Sequence, residues 1–369
     1  MRPPARRWLI VAALFTVTFG VSTPLAAYGV FLPVLAETFG WSRGAIATAL
    51  SVNLMIGGLM GFGIGSLADR HGPRLPLVAT VALAGAAFAL VSTVGTLWQL
   101  YLLVGLMGGI GMSSFYLLSA STVVRWFADR RGLAIALVFV GFNLGYITSG
   151  PLTAWLIASV GWRAAYALLG GGCGLVTTLA ALTVRLPRAT ETPGPQAPQR
   201  RDDRARVPGS GGPDFTLRQA LVSPRQWGLN VSWLLLGGLT VMLTVHVVPF
   251  ARDRGIGLAG ASLALTGYGL GAVTGRIAGG AVSDRVGIFT TVRTGYVLQA
   301  VALLALVLLP SHEMLVASLA VFGVGVAASD TMIMRAIPDV FGLRALGGIM
   351  GVLTLGWRFG AALGPAAAG

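Results

Sequence analysis

The sequence predicts an all-α polytopic membrane protein built from about eleven bilayer-crossing helices. Three observations carry that expectation. Of its 369 residues, 55% are hydrophobic and only 10% charged, with a mean hydropathy of +0.80. A soluble domain carries roughly 25% charged residues, so a globule of this composition would have little to present to water. Apolar runs recur along the whole chain, each long enough to supply the ~20 residues that a hydrocarbon core of about 30 Å demands. Charge is concentrated at the junctions between those runs.

The first run, 9–35, follows the basic start of "MRPPARRWLIVAALFTVTFG" and continues to Leu35 without a convincing cleavage site. It reads as an uncleaved first helix, not a signal peptide. Runs 44–67, 75–94, 97–124, 133–158 and 164–184 follow, separated by Gly, Pro and charged residues that mark turns. After a break come 227–250, 259–282, 290–310, 314–336 and 344–367. Backbone groups in lipid must pair within their own segment, so long uninterrupted runs mean helices and not barrel strands. The break contains "PRATETPGPQAPQRRDDRARVPGSGGPD", which lacks the large apolar residues needed to fold. A short amphipathic piece, "FTLRQALVSPRQW", leads into the seventh run. The expected organisation is a six-helix bundle over 1–186, a flexible cytoplasmic linker over 187–224, and a bundle of about five helices over 225–369.

The formal charge of +14 would suit nucleic acid, but its distribution argues against that partner. All 26 basic residues are Arg. Twenty lie in one alternate set of loops and four (Arg43, Arg163, Arg252 and Arg254) in the other, the asymmetry of cytoplasmic against external loops. The N-terminus is therefore expected in the cytoplasm and the chain in a bacterial inner membrane. The single cysteine, Cys173, provides neither a disulfide framework nor a Cys-based metal site. No metal and no cofactor is expected.

"GSLADRHGPRL" (65–75) and "GGAVSDRVGIF" (279–289) share Asp-Arg, one residue, then Gly, each after a glycine-rich apolar run. The first follows the second span and the other the eighth, so the same unit occurs twice. Parallel six-helix repeats are an architecture of secondary transporters. In these residues the chain resembles the major facilitator superfamily. "TVVRWFADRRGLAIALVFVGFNLG" (122–145), "YGVFLPVLAETFGWSRG" (28–44) and "VHVVPFARDRGI" (245–256) are similar to segments of its monocarboxylate porter and oxalate:formate antiporter branch. The resemblance implies two six-helix bundles rocking against each other, with a twelfth helix following "GWRFGAALGPAAAG" (356–369). It implies a conformational latch at Asp69, Arg70, Gly72, Arg74, Arg130, Arg131, Asp284 and Arg285, with Asp69 pairing with Arg130 or Arg131 or with a neighbouring helix N-terminus. It also implies that cationic residues of the eighth and eleventh helices hold a substrate anion, which here are Arg276 and Arg358.

Read as residues alone, Arg276 and Arg358 sit within apolar spans. A charge at the bilayer centre costs about 2.5–3.5 kcal/mol, so each needs a wet cavity or a partner. Gly275 and Gly279 flank Arg276, and Gly351 and Thr354 share a face with Arg358, which allows close helix packing. Guanidinium forks suit carboxylates. A fixed ion pair or a snorkelled side chain remains the alternative for either. Asp330 is a candidate for a coupling proton if burial raises its pKa; it could equally pair with Arg276 or lie at the headgroups near Arg335. Tyr28, Tyr116, Asn143, Tyr146 and His246 are candidates to line the substrate path with the two arginines; His246 could gate it or sense protons, or equally be a satisfied hydrogen-bonding histidine. "GGIGMSS" (108–114) has no preceding strand and reads as helix-packing glycine. No His-Glu-x-x-His, Gly-x-Ser-x-Gly or Walker motif appears, so an enzyme is not expected.

The expected activity is secondary transport of a mono- or dicarboxylate, with a proton or in exchange for another anion, by a lipid-embedded monomer. Efflux of an amphipathic drug and a non-transporting membrane protein stay open beside it.

Overall fold

The computed structural model describes residues 3–127, 130–187, 215–256, 258–308 and 311–368. No strand occurs among them, and the apolar runs have become helices. α1 spans Pro3–Phe39, α2 Arg43–His71 and α3 Arg74–Leu90. α4 spans Leu97–Trp126. It contains a π-helical stretch, Tyr101–Met107, and a break between Gly111 and Phe115. A continuous helical trace, Arg131–Thr183, is really two helices meeting at Gly161, whose φ of 78° no side-chain-bearing residue adopts cheaply. We number them α5 (131–160) and α6 (162–183). α7 spans Pro224–Asp253, α8 Leu258–Val286, α9 Ile288–Leu308, α10 His312–Phe341 and α11 Leu346–Ala368.

Nine stretches among the described residues are long and apolar enough to cross a membrane, one of them the joined 131–183 pair. α8, which carries Arg276, lies outside that set. The expected linker falls mostly outside the described residues, at 188–214. Its final part is ordered: a short helix, Leu217–Val222, is capped by Thr216, whose Oγ1 accepts from the Gln219 amide. The Phe215 amide donates to the Phe341 carbonyl, tying this helix to the end of α10.

Helices associate where glycine removes the side chain. Without a hydrophobic drive between helices in lipid, close backbone approach and hydrogen bonds must hold them together. Gly141 and Gly145 let α5 lie on α1, where Thr18 Oγ1 donates to the Val138 carbonyl (2.6 Å) and Ser22 Oγ to that of Phe142 (3.0 Å). Gly85 of α3 meets Gly174 of α6, and Gly271 and Gly275 of α8 meet α10. The outer faces are apolar and exposed, as in the stripe Leu168, Leu175 and Leu179 of α6. Two glycine contacts join the first six helices to the last five: Gly61 and Gly65 of α2 against Gly351 and Gly347 of α11, and Gly132 of α5 against Gly280 of α8.

The motif glycines have a shared role. Gly72 (φ 85°) and Gly287 (φ 90°) end α2 and α8 in the left-handed half of backbone space, which turns the chain sharply after each Asp-Arg pair. Packing generates the first prediction. A β-carbon at Gly85 would fall on the Gly174 main chain, whereas one at Gly172 meets nothing within 4 Å. Gly85→Val should cost about 1–3 kcal/mol of stability and Gly172→Ala almost none. Thermal denaturation in detergent reads the difference, and equal melting temperatures would contradict this packing.

Candidate functional site

Halfway along α8, Gly275 packs on Val324 and Gly279 on Ala328 of α10. That approach brings Arg276 to Asp330: Nη1 stands 2.8 Å from Oδ2, with both side chains under a tenth exposed. The Arg276 guanidinium also donates from Nε to Asn143 Oδ1 on α5 (3.0 Å) and from Nη1 to Thr331 Oγ1 (3.2 Å), and it lies 5.5 Å from the Phe139 ring centroid. Asp330 accepts two further hydrogen bonds: the Tyr116 hydroxyl of α4 on Oδ2 and Trp233 Nε1 of α7 on Oδ1 (2.8 Å). Five helices from both sides of the molecule meet on one buried ion pair. Breaking such a pair by removing one partner costs about 3–5 kcal/mol, because the other charge is left buried.

Arg358, midway along α11, is held differently. Its Nη1 donates to the Leu54 carbonyl (2.9 Å) and, more distantly, to that of Asn53 (3.5 Å), while Nη2 donates to that of Met112 (3.1 Å). Met112 lies in the break of α4, where no following turn of helix claims its carbonyl. The guanidinium lies against Gly57, where any β-carbon would displace it. Among the described residues no carboxylate comes within ion-pair distance of Arg358. One guanidinium is thus matched by a carboxylate, and the other rests on carbonyl dipoles.

The repeated loops form a pair of clasps at the Arg-rich end. Asp69, at the end of α2, accepts from the Gly347 and Gly348 amides (both 2.9 Å) at the start of α11. Asp284, at the end of α8, accepts from the Gly132 and Leu133 amides (3.2 and 3.3 Å) at the start of α5. Each carboxylate occupies the positive end of a helix from the opposite half, and each has an arginine: Arg125 of α4 for Asp69 (3.4 Å) and Arg335 of α10 for Asp284 (2.6 Å). Arg125 also donates to the Leu343 carbonyl (2.9 Å).

Several expectations are corrected here. Of the partners expected for Asp69 the neighbouring helix N-terminus is found, but the arginine beside it is Arg125, not Arg130 or Arg131; Arg131 reaches Asp339 instead (3.0 Å), and Arg130 is exposed. Arg70, Arg74 and Arg285 are exposed as well. Of the two placements open for Asp330 beside proton coupling, the pair with Arg276 is the one formed, while Arg335 is engaged by Asp284. Tyr28 is not brought to the cluster: it is 1% exposed and donates to the Ile46 carbonyl (2.7 Å), a packing role between α1 and α2. His246 is half-buried on α7. Tyr116 and Asn143 join the Arg276–Asp330 cluster, and Tyr146 stands on the face of α5 that carries Asn143, 46% exposed. The sequence reading missed Trp233, Thr331, Phe139 and Arg125. Trp233 alone left a signal, an indole N–H inside an apolar run that needs a buried acceptor.

The profile of the Major Facilitator Superfamily matches residues 13–365. The oxalate:formate antiporter of Oxalobacter formigenes is 26% identical over 303 residues, covering 80% of this chain and 68% of that protein. Human monocarboxylate transporter 11 is 25% identical over 374 residues, covering 98% of this chain and 76% of its own length. The solved structure of the proton:xylose symporter XylE superposes with a TM-score of 0.76 at 14% identity, covering 99% of this chain and 88% of that one, a likeness of fold.

The clasps predict an accessibility change. Ser66 lies at the α2–α11 contact, beside Gly348. In a Cys173→Ser, Ser66→Cys background, Asp69→Asn combined with Asp284→Asn should speed thiol labelling several-fold, since a charge at a helix N-terminus contributes about 0.3–1 kcal/mol. Unchanged labelling would mean the clasps do not hold this end shut.

Proposed function

The chain belongs to the Major Facilitator Superfamily, and from that premise we propose that it is a secondary active transporter of small organic anions, mono- or dicarboxylates, working by alternating access. It is a membrane transporter and not an enzyme. One observation carries the anion reading: Arg358 is half-buried between the two halves on neutral carbonyls, with no carboxylate partner among the described residues. Neutral dipoles solvate a guanidinium less well than a carboxylate does. An incoming carboxylate therefore has something to offer Arg358 that the protein withholds. Similarity to an oxalate:formate antiporter and a monocarboxylate transporter supports the same class.

Asp330 is the proposed site of the coupled proton. Its three donors satisfy the ionised carboxylate. A proton on Asp330 would remove the charge that holds Arg276, leaving that guanidinium to seek a second anionic partner. Proton entry and carboxylate capture would then favour each other, as in symport. Counter-anion exchange would use the same two arginines without the proton.

The Arg-rich end is proposed to be cytoplasmic, in a bacterial inner membrane with the N-terminus inside. The Asp69 and Asp284 clasps would then hold the cytoplasmic side closed, and their release would accompany rocking. Both clasps cross between the halves, so neither can survive the opening of that side.

Three substitutions test this reading in proteoliposomes. Arg276→Gln and Arg358→Gln should each lower carboxylate uptake about tenfold to a hundredfold, as charged hydrogen bonds worth about 1.5–3 kcal/mol are lost. Asp330→Asn should abolish stimulation of uptake by an imposed proton gradient. Wild-type uptake by either arginine variant would refute the anion site, and an intact gradient response in Asp330→Asn would move the coupling elsewhere.

A further inference from the structure

We infer that the site selects a singly charged carboxylate with an aromatic body over dianions and over short aliphatic acids. The inference rests on the carboxylate-transport reading and narrows it through two independent features, the charge count of the site and the chemistry of the wall beside it.

The charge count comes first. Arg276 carries a positive charge already matched by Asp330 at 2.8 Å. Arg358 carries a second, balanced only by main-chain carbonyls. Before any proton reaches Asp330, with its carboxylate ionised on three donors, the two arginines leave one net positive charge, which a monoanion cancels. A dianion would leave one unmatched negative charge beside the buried Arg276–Asp330 pair, where a low dielectric penalises it.

The wall comes second. Phe139, Phe142, Asn143 and Tyr146 recur at the three- and four-residue spacing that places them on one face of α5. Asn143 of that face touches Arg276, and Tyr146 follows it one turn further along the same face. Tyr116 stacks on Phe139 with centroids 3.9 Å apart and 22° between planes, and Phe142 stands 4.9 Å from Tyr146. Behind this layer Trp233 lies 6.0 Å from Tyr116 and is buried.

Only the end of the layer is uncovered. Tyr146 is 46% exposed, and its hydroxyl has no hydrogen-bond partner among the described residues, whereas Phe139 is fully buried. The amide of Asn143 accepts from Arg276 through Oδ1, which leaves its Nδ2 hydrogens without a described partner. A half-exposed aromatic ring and a free amide donor thus lie one helical turn apart on the face of α5 that holds Arg276. A flat ring bearing one carboxylate suits this face: its carboxylate meets the arginines and the Asn143 amide while its ring packs on Tyr146 and Phe142. An aliphatic acid of two or three carbons would leave the aromatic face bare, and offset or edge-on ring contacts add attraction beyond the area they bury.

Calorimetric binding to the purified full chain in detergent tests this, with benzoate, propionate, oxalate and succinate as probes. Benzoate should bind about fivefold or more tighter than propionate, the scale of a single aromatic pair, and tighter than either dianion. Tyr146→Leu should reduce the benzoate advantage to about twofold or less, while Tyr146→Phe, which keeps the ring, should retain it. Oxalate or succinate binding as tightly as benzoate would overturn the inference while leaving anion transport standing. So would a benzoate preference untouched by Tyr146→Leu. Failure of all four acids to bind would overturn the carboxylate reading itself, and this inference with it.

Discussion

A guanidinium at mid-depth in a bilayer has no bulk water to turn to, and at insertion costs of about 2.5–3.5 kcal/mol each two of them constrain everything packed around them. Arg276 meets that constraint with a carboxylate 2.8 Å away, an amide, a hydroxyl and an aromatic face. Its partners come from α5 and α10, and through Asp330 the network extends to α4 and α7. The desolvation of one side chain is therefore offset by groups from both halves, and the same bonds set how the halves lie against each other. Arg358 meets the constraint with main-chain carbonyls of α2 and of the broken α4. A helix interruption that would be costly in lipid becomes tolerable here because the cation takes up what it exposes. The two arginines are solved by unlike means, and that difference gives the site its net charge.

At the Arg-rich end the problem is one of joining the halves without fusing them. Glycine-lined contacts bring α2 to α11 and α5 to α8, and at each a carboxylate from one half lies on a helix N-terminus of the other. These bonds are individually modest, about 0.3–1 kcal/mol for such a charge at an accessible helix end, and they are few. Contacts within each half are of another kind, with glycine faces backed by buried hydroxyls such as Thr18 and Ser22. Such an arrangement suits an interface that parts and re-forms while the halves stay intact. The repetition is exact in role if not in sequence: Asp69 with Arg125, and Asp284 with Arg335.

Much of this was legible before any coordinates. The apolar runs located the helices, and the Asp-Arg-x-Gly repeat marked corresponding turns whose glycines adopt positive φ. Arg276 and Arg358 stood out because charge in an apolar run is expensive wherever it occurs. Other features were not legible. That Asp69 would meet Arg125 instead of Arg130 or Arg131 depends on where α4 ends relative to α2, and a difference of five residues in sequence carries no sign of it. Tyr28 and Tyr146 look alike in sequence, each a tyrosine in an apolar helix. One is buried on the Ile46 carbonyl and the other half-exposed against Phe142.

The sequence by itself determined the class of solvent, the number and place of the helices, the turns between them, and the internal duplication, but not the break within α4 at 112–114. All of these follow from hydropathy and backbone chemistry acting over one or a few turns. Only the tertiary structure decided which acid answers which arginine, since Asp330 is 54 positions from Arg276 in the chain and Tyr116 farther still. It alone left Arg358 with carbonyls in place of a carboxylate. Local propensity acts along the chain, whereas electrostatic compensation acts through space, and in a helical bundle the two distances are unrelated.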